Sequence, residues 1–216
     1  MLSTEVITER IPIRMVLSID EKGGIADDKG NIPWHHSDQK DVQKAKKLDL
    51  ELFSFLTRDT HCILGKETFK TLPRLMVDDL STSRKGREYH VMSRTEDRFS
   101  LLRIHSSIVR DDSPVHAIGS HDVLETINHI VSSYPQKRGI SIIGGKKVYE
   151  DVLMHPDKYQ GVEVFLGQFN KDFHCDKNLD LGVDDAGLDR LTLVTNGRLI
   201  EENEGMYMMV KYTIGS

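Results

Sequence analysis

Asp49–Leu72 reads DLELFSFLTRDTHCILGKETFKTL, and the fold follows from how this stretch is divided. Leu50, Phe53 and Leu56 recur every third residue, with Leu52 beside them, which predicts a helix with one apolar side. Asp49 is expected to open that helix, where a carboxylate meets unpaired N–H groups and the positive end of the dipole. The helix is expected to end near Thr57. After the turn residues Arg58-Asp59-Thr60, the run His61-Cys62-Ile63-Leu64 is short and apolar, like a buried strand. It leads into Gly65-Lys66-Glu67-Thr68, a glycine ahead of a base and a hydroxyl at the start of another helix. Helix, buried strand and an anion site at a helix N-terminus together make a ligand-binding layout.

Composition bounds the rest. A chain of 216 residues and 24.6 kDa suits one domain with a sizeable core, or a domain with long insertions. Hydrophobic residues at 38% and charged residues at 29% favour a soluble chain with a rich polar surface over disorder. A net charge of −5 argues against nucleic acid as the main partner. The cysteines, Cys62 and Cys175, are too few for a disulfide framework and point to a reducing compartment. No apolar run approaches the ~18 residues that span a bilayer. The N-terminus lacks a signal peptide's order of charge, apolar core and cleavage site. A monomer in the cytoplasm acting on small molecules is expected.

Three further motifs flank the opening stretch. Ile11–Ile19 reads as a buried strand interrupted by Arg14, with residues 1–10 an arm before it. Gly24–Trp34, GIADDKGNIPW, is glycine-rich, polar and closed by Pro-Trp, and taken alone is a surface loop with a tryptophan lid. Gly86–Arg94, GREYHVMSR, is a turn and a strand, in which Arg87 taken alone is a solvated turn arginine. Gly139–Tyr149, GISIIGGKKVY, is a buried strand, a diglycine turn and the start of a helix. Its glycines let backbone N–H groups approach a pyrophosphate at the helix's positive end. This is not the G-x-G-x-x-G fingerprint of the usual dehydrogenase fold. Val115–Ile118 and Val162–Phe169 are expected strands, and His121–Ser133 an amphipathic helix. Leu191–Val194 and Gly205–Tyr212 are expected to pair as a closing antiparallel hairpin across Asn196-Gly197.

In these four motifs together, the chain resembles dihydrofolate reductase over about residues 11–213. The family pattern D/E-L-x-x-F-x-x-x-T, buried strand, G-R/K-x-T is matched by Asp49, Leu50, Phe53, Thr57, Gly65, Lys66 and Thr68. Phe69, Thr71 and Leu72 continue it. The resemblance implies an α/β fold with a mostly parallel central sheet, an antiparallel C-terminal strand and helices on both faces. It implies NADPH-dependent reduction of 7,8-dihydrofolate to tetrahydrofolate, with hydride passing from the nicotinamide to C6 while N5 gains a proton. Asp49 would be the acid, with Trp34 ordering water near it and Tyr149 close to the nicotinamide and pterin. Val16, Ile32, Leu50, Phe53 and Leu72 would line the substrate pocket. Arg87 would pair with the substrate's glutamate carboxylate, which a guanidinium meets with two parallel donors. Ile25, Lys66, Thr68, Ser93, Arg94, Ile143, Gly144, Gly145, Lys146, Val148 and Tyr149 would hold NADPH. The arginine at 94 fits NADP better than NAD.

The chain also departs from the pattern. Residues 35–48 separate Trp34 from Asp49 where the family has far fewer, and residues 73–85 form a second insertion. The first brings Asp38 and Asp41 into competition for the acid. Asp49 is preferred because only from there do acid, Leu, Phe, Thr and glycine fall into register. His35-His36 are expected to be solvated loop residues with no metal, since adjacent histidines point apart and partners are lacking. Gly167 stands where the family often has a threonine whose hydroxyl helps hold pterin, and Arg14 lies close to a pocket-lining strand. Two other functions are open: a reductase of the riboflavin-pathway type, and a folate- or nucleotide-binding protein of this fold without turnover.

Overall fold

The structure is a computed structural model and describes residues 11–72, 86–105, 113–135, 137–179, 198–203 and 205–215. The expected arm at 1–10, the insertion at 73–85 and the strand Leu191–Val194 lie outside these residues. The strands are β1 (Ile13–Ile19), β2 (Gly24–Ala26), β3 (His61–Gly65), β4 (Glu88–Met92), β5 (Val115–Ile118), β6 (Ile140–Gly144), β7 (Glu163–Phe169), β8 (Lys177–Asn178), β9 (Arg198–Asn203) and β10 (Tyr207–Thr213). The helices are α1 (Lys40–Leu56), α2 (Lys66–Thr71), α3 (Arg98–His105), α4 (Val123–Ser133) and α5 (Lys146–Met154), with a 3-10 turn at Pro33–His36.

An eight-stranded sheet runs β5-β4-β3-β6-β1-β7-β10-β9. Its pairs are parallel from β5 through β7, and β10 runs antiparallel to both β7 and β9. β1 and its parallel neighbours are apolar on both faces, as strands covered by helices on each side must be. Met15, Leu17 and Ile19 of β1 join Ile127 and Ile130 of α4 and Val152 of α5 in one core. Val16, pointing the other way, meets Val42 and Ala45 of α1 and Phe165 of β7. Cys62, Leu64 and Val91 pack against Phe69 of α2 and Leu101 of α3 on that same second face. Each such side chain stabilises the fold by roughly 1.5–3 kcal/mol on burial. Helices therefore cover both faces, as expected.

Two expectations need correction. Asp49 does not open its helix, because α1 begins at Lys40 and Asp49 lies in its third turn. Val42, Ala45, Asp49 and Leu56 form the buried stripe, so residues 35–48 mostly lengthen α1 at its front. The strand paired with β10 is Arg198–Asn203, and the connection runs through 204–206 instead of Asn196-Gly197. Arg14 lies in β1 itself, in register with Glu163 at the start of β7, and bonds its carboxylate at 3.3 Å.

Candidate active site

Chain order leaves a crevice at the carboxyl ends of the central strands. From β1 the chain crosses to β3, moves outward to β4 and β5, then returns to insert β6 between β3 and β1. Such a reversal parts the loops that follow neighbouring strands, and ligands of open α/β sheets bind there. β3 ends at Gly65 and enters α2, and β6 ends at Gly144 and enters α5 through Gly145. Gly144 has φ +134, a conformation closed to most side chains, and a Cβ on Gly145 would fall on the Thr68 hydroxyl. The two expected motifs therefore touch. One turn into α5, Tyr149 is buried and donates its hydroxyl to the Val16 carbonyl at 3.0 Å. Val148 and Ile143 are buried beside it, while Lys146 is exposed and lies 3.5 Å from Glu150.

Asp49 comes from α1 to the carboxyl end of β1, beside Ser18. It is buried, and its Oδ1 accepts hydrogen bonds from the hydroxyls of Ser18 at 2.5 Å and Tyr207 at 2.9 Å. Burial raises its pKa above the ordinary carboxylate value, and the two hydroxyls act against that shift. Nearby Asp49 and burial push the phenols of Tyr149 and Tyr207 far upward, burial being the larger cause, so both remain donors. Asp38 and Asp41 are exposed.

Further along α1, Phe53 follows Asp49 by one turn, and the Arg87 guanidinium lies 5.6 Å above its ring. Arg87 is 4% exposed, so it is not a solvated turn residue. Its Nε donates to Thr57 Oγ1 at 2.9 Å and to the Thr57 carbonyl at 3.3 Å, and Nη2 to the Ser54 carbonyl at 3.5 Å. A cation there also meets the negative end of the α1 dipole. Leu72 and Phe53 are partly buried against one core, and Ile32 against the next. Leu50 is 39% exposed and is the least covered of the expected pocket residues.

Trp34 is buried with its ring 4.8 Å from that of Phe169 and 5.7 Å from that of Phe173, and its Nε1 has no protein acceptor among the described residues. His35 is not solvated as expected. Its Nε2 is buried, and burial with Lys46 and His36 nearby lowers its pKa to about 4. Ile25 lies in β2, which pairs with β8.

On the proposed phosphate side, Lys66 spans to the loop after β4, bonding Thr95 Oγ1 at 3.2 Å and Glu96 Oε1 at 3.5 Å. Ser93 is buried and its hydroxyl accepts from the amides of Thr95 and Glu96 at 3.3 and 3.0 Å, holding that loop in a turn. Arg94 is exposed at the edge of a cleft lined also by Asp97, Ala117 and Gly119. Lys66, Ser93 and Arg94 thus share one rim, with Glu96 a carboxylate within it.

Sequence reasoning missed a second cluster on the α4 face of the sheet. His61, Glu88 and His90 bring possible metal-ligating atoms within 4.8 Å of one another, and the His116 ring stacks on His90 at 4.9 Å. Most of those atoms are already engaged. His61 Nε2 lies 2.9 Å from the Pro135 carbonyl, an acceptor that only an N–H can meet, and His61 Nδ1 lies 3.0 Å from His90 Nε2. The Lys137 ammonium lies 3.2 Å from Glu88 Oε1. The network is held largely by its own hydrogen bonds, with His90 Nδ1 buried and without a partner among the described residues. Only the parallel register of β3, β4 and β5 assembles it, and spacing along the chain carries no sign of it.

No protein-family model matches the chain. It is similar to dihydrofolate reductase type 9 of Escherichia coli, with 23% identity over 171 residues, 79% of this chain and 77% of the relative. Among the described residues, no helix is long and apolar enough to cross a membrane.

Proposed function

We propose that the chain is a dihydrofolate reductase, which reduces 7,8-dihydrofolate to 5,6,7,8-tetrahydrofolate with NADPH. In this reading it works as a cytoplasmic monomer, one domain over residues 11–216, on a small-molecule substrate and without nucleic acid. The observation that carries the reading is Asp49, a buried carboxyl with a raised pKa, on the same helix as Phe53 and the Arg87 contact and across from Tyr149. Acid, apolar ring and guanidinium in that order suit a pterin, an aromatic linker and a terminal carboxylate. The similarity to a dihydrofolate reductase supports the same reading at the level of the family.

Asp49 binds the amidine-like edge of the pterin and, in its protonated fraction, relays a proton toward N5 through solvent. The unpartnered Nε1 of buried Trp34 suits a role on that solvent route. Phe53, Leu72, Ile32 and Val16 exclude bulk water, which keeps the acid's pKa high. Leu50 closes on the ligand at the open edge. The bare backbone at Gly144–Gly145, packed on Thr68, fits a dinucleotide. Lys66, Thr68, Ser93, Arg94, Lys146 and the diglycine turn would hold NADPH, with Ile25, Ile143, Val148 and Tyr149 around it. When bound, NADPH supplies the hydride.

Purified full-length chain with NADPH should lose nicotinamide absorbance only when dihydrofolate is added. NADPH quenching of Trp34 fluorescence with no such loss would instead identify a binding protein without turnover.

A further inference from the structure

The structure shows what fills the space beside Gly167. A Cβ there would lie 2.5 Å from the Tyr207 hydroxyl oxygen, 2.6 Å from Ser18 Oγ and 3.0 Å from Tyr207 Cε2. Those two hydroxyls are the groups that bond Asp49 Oδ1. The register explains the convergence. Ser18 of β1 and Met209 of β10 both pair with Gly167, which puts Tyr207 on the diagonal across the same sheet face. Tyr207 is 1% exposed, so its hydroxyl depends on a protein partner.

We propose that Gly167, Ser18 and Tyr207 form a positioning unit for Asp49, in which the glycine makes room for two hydroxyls that fix Oδ1 and leave Oδ2 to face the ligand. An ionised carboxylate oxygen offers about two lone-pair sites. Two donors fill those of Oδ1, and among the described residues none donates to Oδ2. The assignment of Oδ2 to a pterin rests on the dihydrofolate reductase reading; the geometry of the unit does not. It accounts for Gly167 as well. The hydroxyl that a threonine would bring is supplied instead by β1 and by the antiparallel strand β10, and a threonine would collide with both.

The titratable groups facing Asp49 are Tyr207 from β10 and Tyr149 from α5, while β1 and β7 present Ser18 and Gly167. Each hydroxyl stabilises the ionised form of Asp49, so its loss moves the carboxyl titration to higher pH. The test follows the Asp49 carboxyl carbon by NMR across pH in full-length protein carrying labelled aspartate, with Asp49→Asn for assignment. Tyr207→Phe keeps the ring and is expected to move the titration up by roughly one pH unit, the scale of one charge-assisted hydrogen bond. Ser18→Ala with Tyr207→Phe moves it further.

Gly167→Ala is expected to lower Tm in the wild type and to lower it less in the Ser18→Ala, Tyr207→Phe background, where both colliding oxygens are gone. An Asp49 titration unchanged in both hydroxyl variants, or an equal Tm loss in the two backgrounds, overturns the proposal. Neither measurement needs turnover, so a chain that fails to reduce dihydrofolate refutes the functional reading alone. In an active chain, the pH profile of kcat moves with the carboxyl titration.

Discussion

Asp49 carries opposing demands. Burial disfavours its charge, two hydroxyls favour it, and the net effect is a raised pKa. Asp49→Asn keeps an oxygen for both hydroxyls and removes the acid. It is expected to slow hydride transfer to dihydrofolate by roughly 10²-fold or more at neutral pH, the scale of a positioned general acid. Single-turnover kinetics should show the loss shrinking as pH falls and solvent supplies the proton. The exposed Asp38 and Asp41 should tolerate the same change. The sign of the stability effect also follows. A folded pKa raised above the unfolded value means a penalty that is absent below about pH 4 and grows as pH rises. Asp49→Asn should therefore raise Tm at pH 8 and leave it nearly unchanged in acid. On the rim proposed for phosphate, Arg94→Ala is expected to raise KM for NADPH much more than for NADH, since in that proposal a cation reads the 2′-phosphate. Equal effects on both cofactors would remove Arg94 from that role.

At the scale of elements, α1 shows what could and could not be read from the chain. The register Asp49–Gly65 was legible because acid, Phe53, Thr57 and glycine are fixed by the lengths of a helix and a strand. The start of α1 was not. Lys40, Asp41, Gln43, Lys44 and Lys47 are exposed, and they mask Val42 and Ala45, which are fully buried. Asp49 then resembled a cap, because its true partners lie 31 and 158 residues away. Tyr207 gave no signal at all: between Met206 and Met208 it reads as core, and only the pairing of β10 with β7 aims its hydroxyl. The diglycine turn and its helix were legible for the opposite reason, being local. Val42 offers a check on the front of α1. Val42→Ala is expected to cost about 2 kcal/mol in urea unfolding, the scale of a small core deletion, and to change the fluorescence of Trp34 in the same core. An exposed insertion would show neither.

Across the whole molecule, Asp49 and the His61–His90 pair lie on opposite faces of one sheet, while His116, stacked on His90, also lines the cleft beside Arg94. His90 is fully buried, and burial, with His116, His61 and His129 adding to it, lowers its pKa to about 2. The unfolded chain therefore binds a proton at His90 that the folded chain refuses. That contribution to stability is intact above about pH 6.5 and is lost progressively as pH falls toward 2, by up to about 1.4 kcal/mol per pH unit. Urea midpoints measured between pH 7.5 and 5.5 should fall, and His90→Gln should flatten the slope even where it lowers every midpoint.

The glycine-rich segment after β1 has ties of its own. Asp20 accepts from the amides of Lys22, Gly24 and, across the chain, Phe173, while the Asp28 amide reaches Asp176. With β2 paired to β8, the segment cannot swing as a single flap. Any movement of this segment must carry residues 173–178 along or break their hydrogen bonds to it. Substitutions at residues 173–178, well over a hundred residues away in the chain, are therefore expected to change how readily the segment opens, read by amide hydrogen exchange at residues 20–28.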